Sequence, residues 1–239
     1  SYYYQNKSYE VYSYDAPINP FKTVFVDPDQ INRFTGRPLP LWKDKETCIG
    51  QVQGGDWDRN SDLIIEEDYD HEERRWLYEL IFLSKYDETV FHKSFVRHFE
   101  HNVKWEETEF VKKNIQRIED GYRGWKSSES KQELLNSCEE MDRIFQKIRN
   151  QGYKQQKELE DISTLLERKL NEVVVDIGRK GDLLLVDNRH RLSMAKILDI
   201  ERIPVRFLTR HEEWMETRDS VYHDEIQRKH PDFSEFKST

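Results

Sequence analysis

The amino-acid sequence predicts an α+β fold in which a small mixed sheet carries packed helices and a large helical insertion. Apolar residues recur at helical spacing through most of residues 71–171. Two β-branched and leucine-rich runs joined by a glycine-containing turn follow at 173–187, and a third apolar run, RIPVRFL, ends at Leu208. Short strand candidates also precede the helical stretch. Strands grouped apart from helices are typical of α+β architectures.

The part of the chain before the helical stretch predicts an arm followed by short strands and loops. Residues 1–20 are rich in tyrosine, have no helical period and form the expected N-terminal arm. In residues 21–70, Val24 to Val26 predict a strand that stops at Asp27-Pro28-Asp29, and a second short strand is expected near Ile49 to Val52. This region therefore supplies the first strands of the core domain.

A glycine pair followed by two aspartates, Gly54-Gly55-Asp56-Trp57-Asp58, stands out in these loops. Two glycines let a backbone approach a ligand closely, and the carboxylates are suited to proton transfer. The same letters also describe an ordinary turn. Both interpretations stay open, and Asp56 and Asp58 are candidate catalytic acids.

Residues 71–130 predict a helical insertion, because three consecutive segments place apolar residues on a helical period. The clearest helix is predicted at 131–152, where Gly152 supplies a residue suited to a left-handed helix end. A further helical pattern follows at 155–170. These apolar stripes are expected to face the core, with a partner helix as the alternative. The stripe at 131–152 consists of Leu134, Cys138, Met141, Phe145 and Ile148.

Three histidines in the helical insertion raise the question of a metal site. His98 and His101 are three residues apart and could share a helix face, as metal ligands often do. No cysteine and no spaced acid completes a recognisable ligand set, so these two and His92 are expected to be ordinary surface residues. Cys48 and Cys138 also lack metal or redox spacing and are expected to be reduced packing residues.

The composition argues against several classes of function. With 38 Lys and Arg against 47 Asp and Glu, the formal net charge is -9, whereas broad nucleic-acid binding depends on clustered basic residues. No stretch approaches the roughly 20 apolar residues that span a bilayer. We therefore expect a globular cytoplasmic protein without broad nucleic-acid binding.

From residue 172 the pattern becomes strand, turn, strand, helix, strand. The first two strands are joined by Gly178-Arg179-Lys180-Gly181, which predicts a hairpin, and a short helix follows Asp187. Arg189, His190 and Arg191 occupy the first turn of that helix, where the helix dipole favours acids. A bound anion would resolve this conflict, because free helix N–H groups and guanidinium groups both bind phosphate or carboxylate.

The acid at the end of the second strand has three possible roles. Asp187 could cap the helix, coordinate magnesium, or act as a general base toward a bound ligand. The residues alone leave these alternatives open.

The stretch LLLVDNRHRLSMAKILDIERIPVRF resembles the signature of the ParB/sulfiredoxin superfamily, in which a strand runs into a phosphate-binding turn and a helix, followed by an IPV strand. EEMDRIFQKIRNQGY resembles the helix and glycine turn that precede this signature, and TVFVDPDQI resembles its opening strand. The resemblance covers residues 141–210 and, more weakly, 23–32. It implies a ParB-like nucleotide-binding core at 131–210. A C-terminal helix and tail at 211–239, which the resemblance does not cover, are expected to follow.

This resemblance implies that the turn binds nucleotide phosphates. Asp187 matches the acid of the small-molecule kinase branch, which includes enzymes that act on free serine, and it is the implied catalytic acid and Mg²⁺ ligand. Asn188 stands where the family usually has glycine, so either a positive φ or a changed turn is expected. No cysteine stands in the turn, which sets sulfiredoxin chemistry aside. The implied cofactor-binding residues are Asn188, Arg189, His190, Arg191 and Ser193.

Two functions follow from the resemblance. In the first, the chain is a kinase that uses ATP or ADP with Mg²⁺ to phosphorylate a hydroxyl of a small molecule. Asp56 or Asp58, and next Asp27 or Asp29, would take the hydroxyl proton. In the second, it is a CTP-binding, DNA-associated regulator without phosphotransfer. The segment that follows the last predicted strand is too short and too acidic for a DNA-binding module, which favours the kinase.

A third possibility keeps the fold without the chemistry, as a structural or toxin-linked module. In that case nothing binds at the turn, and Arg189 and Arg191 form salt bridges with nearby acids.

Overall fold

The computed structural model describes residues 14–37, 49–59, 85–155 and 172–236. Over these residues it contains a six-stranded mixed sheet and five α-helices, which confirms the α+β class. Most of the expected N-terminal arm, the helical patterns at 71–84 and 156–170, and Cys48 lie outside the described residues.

The strands form one sheet in the order β1-β6-β4-β5-β2, and β3 also pairs with β6. The predicted strands near Val24 and Ile49 are confirmed, the second shifted by two residues, whereas the polar strand INRF was not predicted. The strands are β1 (Val24–Val26), β2 (Ile31–Phe34), β3 (Gln51–Gln53), β4 (Val173–Ile177), β5 (Leu183–Asp187) and β6 (Ile203–His211).

Strands β4 and β5 form the predicted antiparallel hairpin, with Ile177 opposite Leu183 and Val174 opposite Asp187. The turn is closed by a hydrogen bond of 2.9 Å from the Gly181 N–H to the Gly178 carbonyl oxygen. Because the two strands run in opposite directions, the hairpin turn and the end of β5 at Asp187 lie at opposite ends of the sheet.

The long strand β6 is bordered along one edge by short segments from two parts of the chain. β1 pairs antiparallel with its first residues, at Val205 through Ile203, and β3 pairs parallel with its last residues, at Thr209 through His211. Between them, the Gly50 N–H donates to the Leu208 carbonyl oxygen at 2.8 Å. β4 covers the other edge in a parallel arrangement.

The helices begin at capping residues of the expected kind. The hydroxyl groups of Thr89, Thr108 and Ser130 each accept a hydrogen bond from the backbone of the first helical turn. Gly152 ends the third helix, as predicted, but its φ of 79° and ψ of 167° lie outside the left-handed helical region. None of the described helices is both long and apolar enough to cross a membrane. The helices are α1 (Val90–Phe99), α2 (Glu109–Glu119), α3 (Lys131–Gln151), α4 (Arg189–Ile197) and α5 (Glu212–Tyr222).

One hydrophobic core joins the helical insertion to the sheet. Phe91, Phe95 and Phe110 of the insertion belong to the same buried cluster as Val175 of β4 and Leu185 of β5. The predicted stripe of α3 is buried in the same cluster. The helix that follows the candidate turn, α4, packs directly against α1 of the helical insertion. It contributes three apolar residues to the cluster: Leu192, Met194 and Ala195.

The C-terminal residues pack onto the fold. α5 follows β6 directly, and a short 3-10 helix, Pro231–Glu235, places the buried Asp232 between Arg210 and Arg218. These two guanidinium groups contribute to holding the pKa of Asp232 well below its usual range, despite burial that raises it. The described end of the arm also contacts α5, because the Ala16 N–H donates to Asp219 at 2.7 Å.

Candidate functional site

The turn between β5 and α4 contains a residue with positive φ, which is one of the two outcomes expected of Asn188. This residue adopts the left-handed conformation, with φ 66° and ψ 38°, so it fills the role for which glycine is usual. Its Nδ2 donates to the Glu172 carbonyl oxygen at 2.6 Å, which ties the turn to the start of β4. The Asp187 carboxylate accepts from the Asn188 N–H at 2.7 Å. Asn188, and not Asp187, is the N-cap residue of α4.

Among the described residues, Arg189 is a cation without a matching acid. The residue as a whole is partly exposed, but its Nε is shielded from solvent and has no hydrogen-bond partner in the described part of the chain. The guanidinium carbon lies 5.1 Å from the centre of the Phe91 ring of α1. Burial of the guanidinium lowers the pKa of Arg189 to about 10, because the charged form loses solvation. Such a charge is suited to binding an anion.

Arg191 has a different environment. Its Nε donates to the Tyr153 hydroxyl at 3.0 Å, its Nη2 donates to the Lys154 carbonyl oxygen at 2.9 Å, and its guanidinium stacks over the Tyr153 ring. Arg191 therefore holds the turn against the end of α3. Among the residues that the structure describes, neither Arg189 nor Arg191 has a carboxylate within ion-pair distance, so the expected salt bridges of a ligand-free turn are not formed there. His190 is partly buried on the same turn.

Ser193 lies at the centre of a buried polar contact with the helical insertion. Its Oγ is 2.8 Å from Tyr86 Oη and 3.0 Å from His92 Nδ1. Tyr86 Oη also donates to the Arg189 carbonyl oxygen at 2.5 Å. Burial raises the pKa of Tyr86 and lowers that of His92 to about 4. Ser193 was predicted as a cofactor ligand, but it is completely buried, and its described contacts are with protein groups.

Tyr86 and His92 were not predicted as site residues. His92 was expected to be an ordinary surface residue, and this is wrong, because it is 7% exposed. A signal was present in the sequence: His92 lies between Phe91 and Phe95, beside the buried stripe of α1. His98 is also tied down, with its ring nitrogens 2.8 Å from the Val103 carbonyl oxygen and 2.9 Å from Asp142.

Lys196 continues the same face of α4. Its Nζ lies 3.0 Å from Asp29 Oδ1 and 3.2 Å from Asp87 Oδ1. Asp29 belongs to the short 3-10 helix Pro28–Gln30, which begins where the sequence predicted a turn. The carboxylate of Asp87 also lies 3.9 Å from His92 Nε2. Of the two alternative acids, Asp29 therefore reaches α4, whereas Asp27 accepts a hydrogen bond from the Asp29 N–H and caps the 3-10 helix.

Asp56 and Asp58 lie at the other end of the sheet. Asp58 is 2% exposed, and both of its carboxylate oxygens accept from Arg179 of the hairpin turn. Burial raises the pKa of Asp58, but the hydrogen bonds from Arg179 outweigh this effect and hold the pKa below its usual range. Asp56 also accepts from Arg179, at 2.8 Å. The length of β5, about 13 Å, separates this cluster from Asp187, so the structure does not bring the predicted catalytic acids to the turn.

The described residues offer neither a cluster of metal ligands nor an exposed thiol. In residues 14–37, 49–59, 85–155 and 172–236, no group of three or more His, Cys, Asp and Glu side chains is arranged to hold a metal ion. Asp187 as a magnesium ligand stays a prediction. Cys138 is a buried free thiol, as expected, and burial raises its pKa to about 12.

The chain matches no protein-family model, no curated protein and no solved structure.

Proposed function

We propose that this chain is a nucleotide-dependent kinase of the ParB/sulfiredoxin type. It binds the phosphates of ATP or ADP at the turn from Asp187 to Arg191 and transfers a phosphoryl group to a hydroxyl of a small molecule. The observation that carries the proposal is the Arg189 guanidinium at the start of α4, whose Nε is shielded from solvent and which has no carboxylate near it among the described residues.

A buried guanidinium without a counter-ion is unfavourable in the absence of ligand. A phosphate would supply the missing charge and could accept two parallel hydrogen bonds from the planar group. The first N–H groups of a helix, with the positive end of its dipole, favour the same ligand. Asn188 opens the first turn of α4 without a side-chain cap, so the cap does not compete with an anion.

The other residues of the turn are proposed to have two roles: holding the bound ion or supporting the turn. Asp187 stands at the end of β5 and is the residue proposed to hold Mg²⁺, which would offset the charge of the phosphates. Arg191 and Ser193 are proposed to support the turn without contacting the nucleotide. Arg191 contacts Tyr153 and Lys154, and Ser193 contacts Tyr86 and His92.

One observation favours the alternative, a ParB-like CTP-binding regulator without phosphotransfer. Two of the carboxylates that the sequence predicts as proton acceptors are paired with basic side chains: Asp58 with Arg179, and Asp29 with Lys196. Against this alternative, the segment after β6 packs as α5 and a 3-10 helix onto the fold, and the net charge is -9. Nucleotide binding is common to both proposals, and turnover separates them.

The first experiment measures the melting temperature with ATP, ADP or CTP and Mg²⁺. We expect a rise for the parent protein and none for Arg189→Met, in which the apolar stem is kept and the charge is removed. Arg97→Met, at an exposed position of α1, is the matched control and should keep the rise. No rise with any nucleotide would refute both proposals.

A second experiment separates the kinase from the regulator. The kinase converts ATP to ADP when a metabolite extract is added, and phosphorus NMR shows a new phosphate ester. The regulator binds nucleotide, forms no ester, and binds DNA in a salt-dependent manner. Asp187→Asn should keep nucleotide affinity and lose transfer.

A further inference from the structure

A chain of buried hydrogen bonds links the helical insertion to the candidate turn. His92 Nδ1 lies 3.0 Å from Ser193 Oγ, which lies 2.8 Å from Tyr86 Oη. Tyr86 Oη in turn donates to the carbonyl oxygen of Arg189, at 2.5 Å. This series of hydrogen bonds therefore runs from His92 of α1 to Arg189, the first residue of α4.

The number of hydrogen atoms on each group determines which atom donates in each of these hydrogen bonds. The Arg189 carbonyl oxygen can only accept, so the single hydroxyl hydrogen of Tyr86 points to it. Tyr86 Oη then accepts from Ser193 Oγ, which uses the only hydroxyl hydrogen of Ser193. Ser193 Oγ must accept from His92 Nδ1. In the neutral ring, Nδ1 therefore carries the hydrogen and Nε2 carries the lone pair.

The neutral ring is the form that burial favours. Loss of solvation lowers the pKa of His92 to about 4, with Asp87 and Asp29 opposing this effect and Lys196 adding to it. Nε2 is then an unprotonated base at neutral pH.

The Nε2 atom of His92 borders a group of charged side chains that solvent reaches. Asp87 Oδ1 lies 3.9 Å from Nε2, too far for a hydrogen bond. Lys196 Nζ contacts the carboxylates of both Asp87 and Asp29, and its own side chain is only 6% exposed. The Asp87 and Asp29 side chains are 56% and 80% exposed. In the described parts of the chain, Nε2 has no hydrogen-bond partner, so a donor from a ligand can occupy this position.

The position along α4 suits a proton acceptor. Ser193, which holds His92, lies four residues after Arg189 on the same face of the helix, about 6 Å along the axis. A nucleotide whose inner phosphate is bound by Arg189 and whose terminal phosphate lies one helical turn further along α4 would therefore bring the terminal phosphorus to a hydroxyl beside His92.

We propose that His92 Nε2 accepts the proton of the acceptor hydroxyl, and that Asp87, held by Lys196, forms the border of the acceptor subsite. This role rests on the proposed kinase function. The hydroxyl oxygen forms a bond to the terminal phosphorus of the nucleotide while the bridging P–O bond breaks. The shortened nucleotide leaves with the bonding pair, and the proton moves to Nε2. His92 supplies the proton acceptor that the paired Asp58 and Asp29 do not.

The variant His92→Asn tests this role, because the asparagine amide can still donate to Ser193 Oγ from the position of Nδ1 but has no group in place of Nε2. We expect it to keep the nucleotide-dependent rise in melting temperature and to lower the rate of ADP formation from ATP and Mg²⁺, with metabolite extract, by about 100-fold or more. His101→Asn, at an exposed position beyond α1, is the control and should keep the parental rate.

The hydrogen on the ring can be located directly. Long-range ¹⁵N–¹H NMR of histidine-labelled protein, with His92 identified by its absence from His92→Asn, should show a protonated Nδ1 and an unprotonated Nε2 at pH 7.

Four results would overturn the role of His92, and they separate its failure from that of the kinase proposal. Parental turnover in His92→Asn, or a protonated Nε2, removes this role and leaves the kinase proposal standing. Loss of nucleotide binding in His92→Asn shows that the residue acts by positioning the turn. If the parent protein binds no nucleotide, the kinase proposal fails and the role of His92 fails with it.

Discussion

Replacing Arg189 with methionine should stabilise the protein in the absence of ligand. The difference between the usual guanidinium pKa of 12.5 and the folded value of about 10 corresponds to roughly 3 kcal/mol against the charged form. The contact with the Phe91 ring returns about 1 kcal/mol of this. Arg189→Met therefore increases the free energy of unfolding by about 2 kcal/mol, or roughly 4–8 °C in melting temperature for a chain of this size.

Bound nucleotide should reverse which of the two proteins, the parent or Arg189→Met, has the higher free energy of unfolding. At a free concentration of about 100 times Kd, a ligand that binds only the folded state adds about 2.7 kcal/mol to the parent. Arg189→Met, which lacks the guanidinium, gains nothing. The parent is thus less stable than the variant without nucleotide and slightly more stable with it.

The assay is urea denaturation at pH 7, with and without ATP and Mg²⁺, for the parent, Arg189→Met and Arg97→Met. The last of these should stay within about 0.5 kcal/mol of the parent, because Arg97 is exposed. A variant Arg189→Met that is less stable than the parent and still responds to nucleotide would refute the argument from buried charge.

Three further predictions follow from the site and its surroundings. Asp58→Asn should lower the melting temperature but leave the nucleotide-dependent rise unchanged, since its contacts are at the hairpin end; loss of that rise would place Asp58 in the site after all. Asn188→Gly should lower the free energy of unfolding by about 1 kcal/mol, because the hydrogen bond to the Glu172 carbonyl oxygen is lost. Asn188→Ala should lower it by about 2 kcal/mol, because alanine is also disfavoured at positive φ. Equal effects of the two variants in urea denaturation would contradict the conformational argument. His92 has a folded pKa of about 4, below its unfolded value of 6.5, so its contribution to the free energy of unfolding is present above pH 6.5. That contribution, roughly 3 kcal/mol, is lost as the pH falls toward 4. Urea denaturation at several pH values should show a smaller loss of stability in acid for His92→Asn, and parallel curves would count against a buried neutral ring.

The local pattern of the sequence was enough to predict the turn. A hairpin, a polar junction and a helical period follow one another directly between Val173 and Leu198, and the hydrogen bonds of such elements are local. The conflict between Arg189 and the helix dipole was also visible, because it depends only on position in the first turn. For Asn188 the resemblance predicted either a positive φ or a changed turn, and the residue has the positive φ.

Long-range partners account for what the sequence did not reveal. Asp58 looked catalytic beside two glycines, but its partner Arg179 is 121 residues away. The burial of His92 is indicated by its neighbours Phe91 and Phe95, but its contact with Ser193 spans 101 residues and is not indicated by the sequence. β2 was missed for another reason: its letters, INRF, have two polar residues out of four, and only its parallel pairing with β5 makes it a strand. Each of these contacts depends on tertiary structure that no local pattern encodes.

The edge of β6 has a consequence for aggregation. An unpaired edge on a nine-residue strand as buried as IPVRFLTRH would be a template for pairing with another molecule. Here β1, the Gly50 amide and β3 together occupy that edge, although they come from segments that precede the whole helical insertion in the chain. Variants that detach either short strand should therefore lose solubility before they lose helix content, because they uncover the edge while leaving the helical core in place.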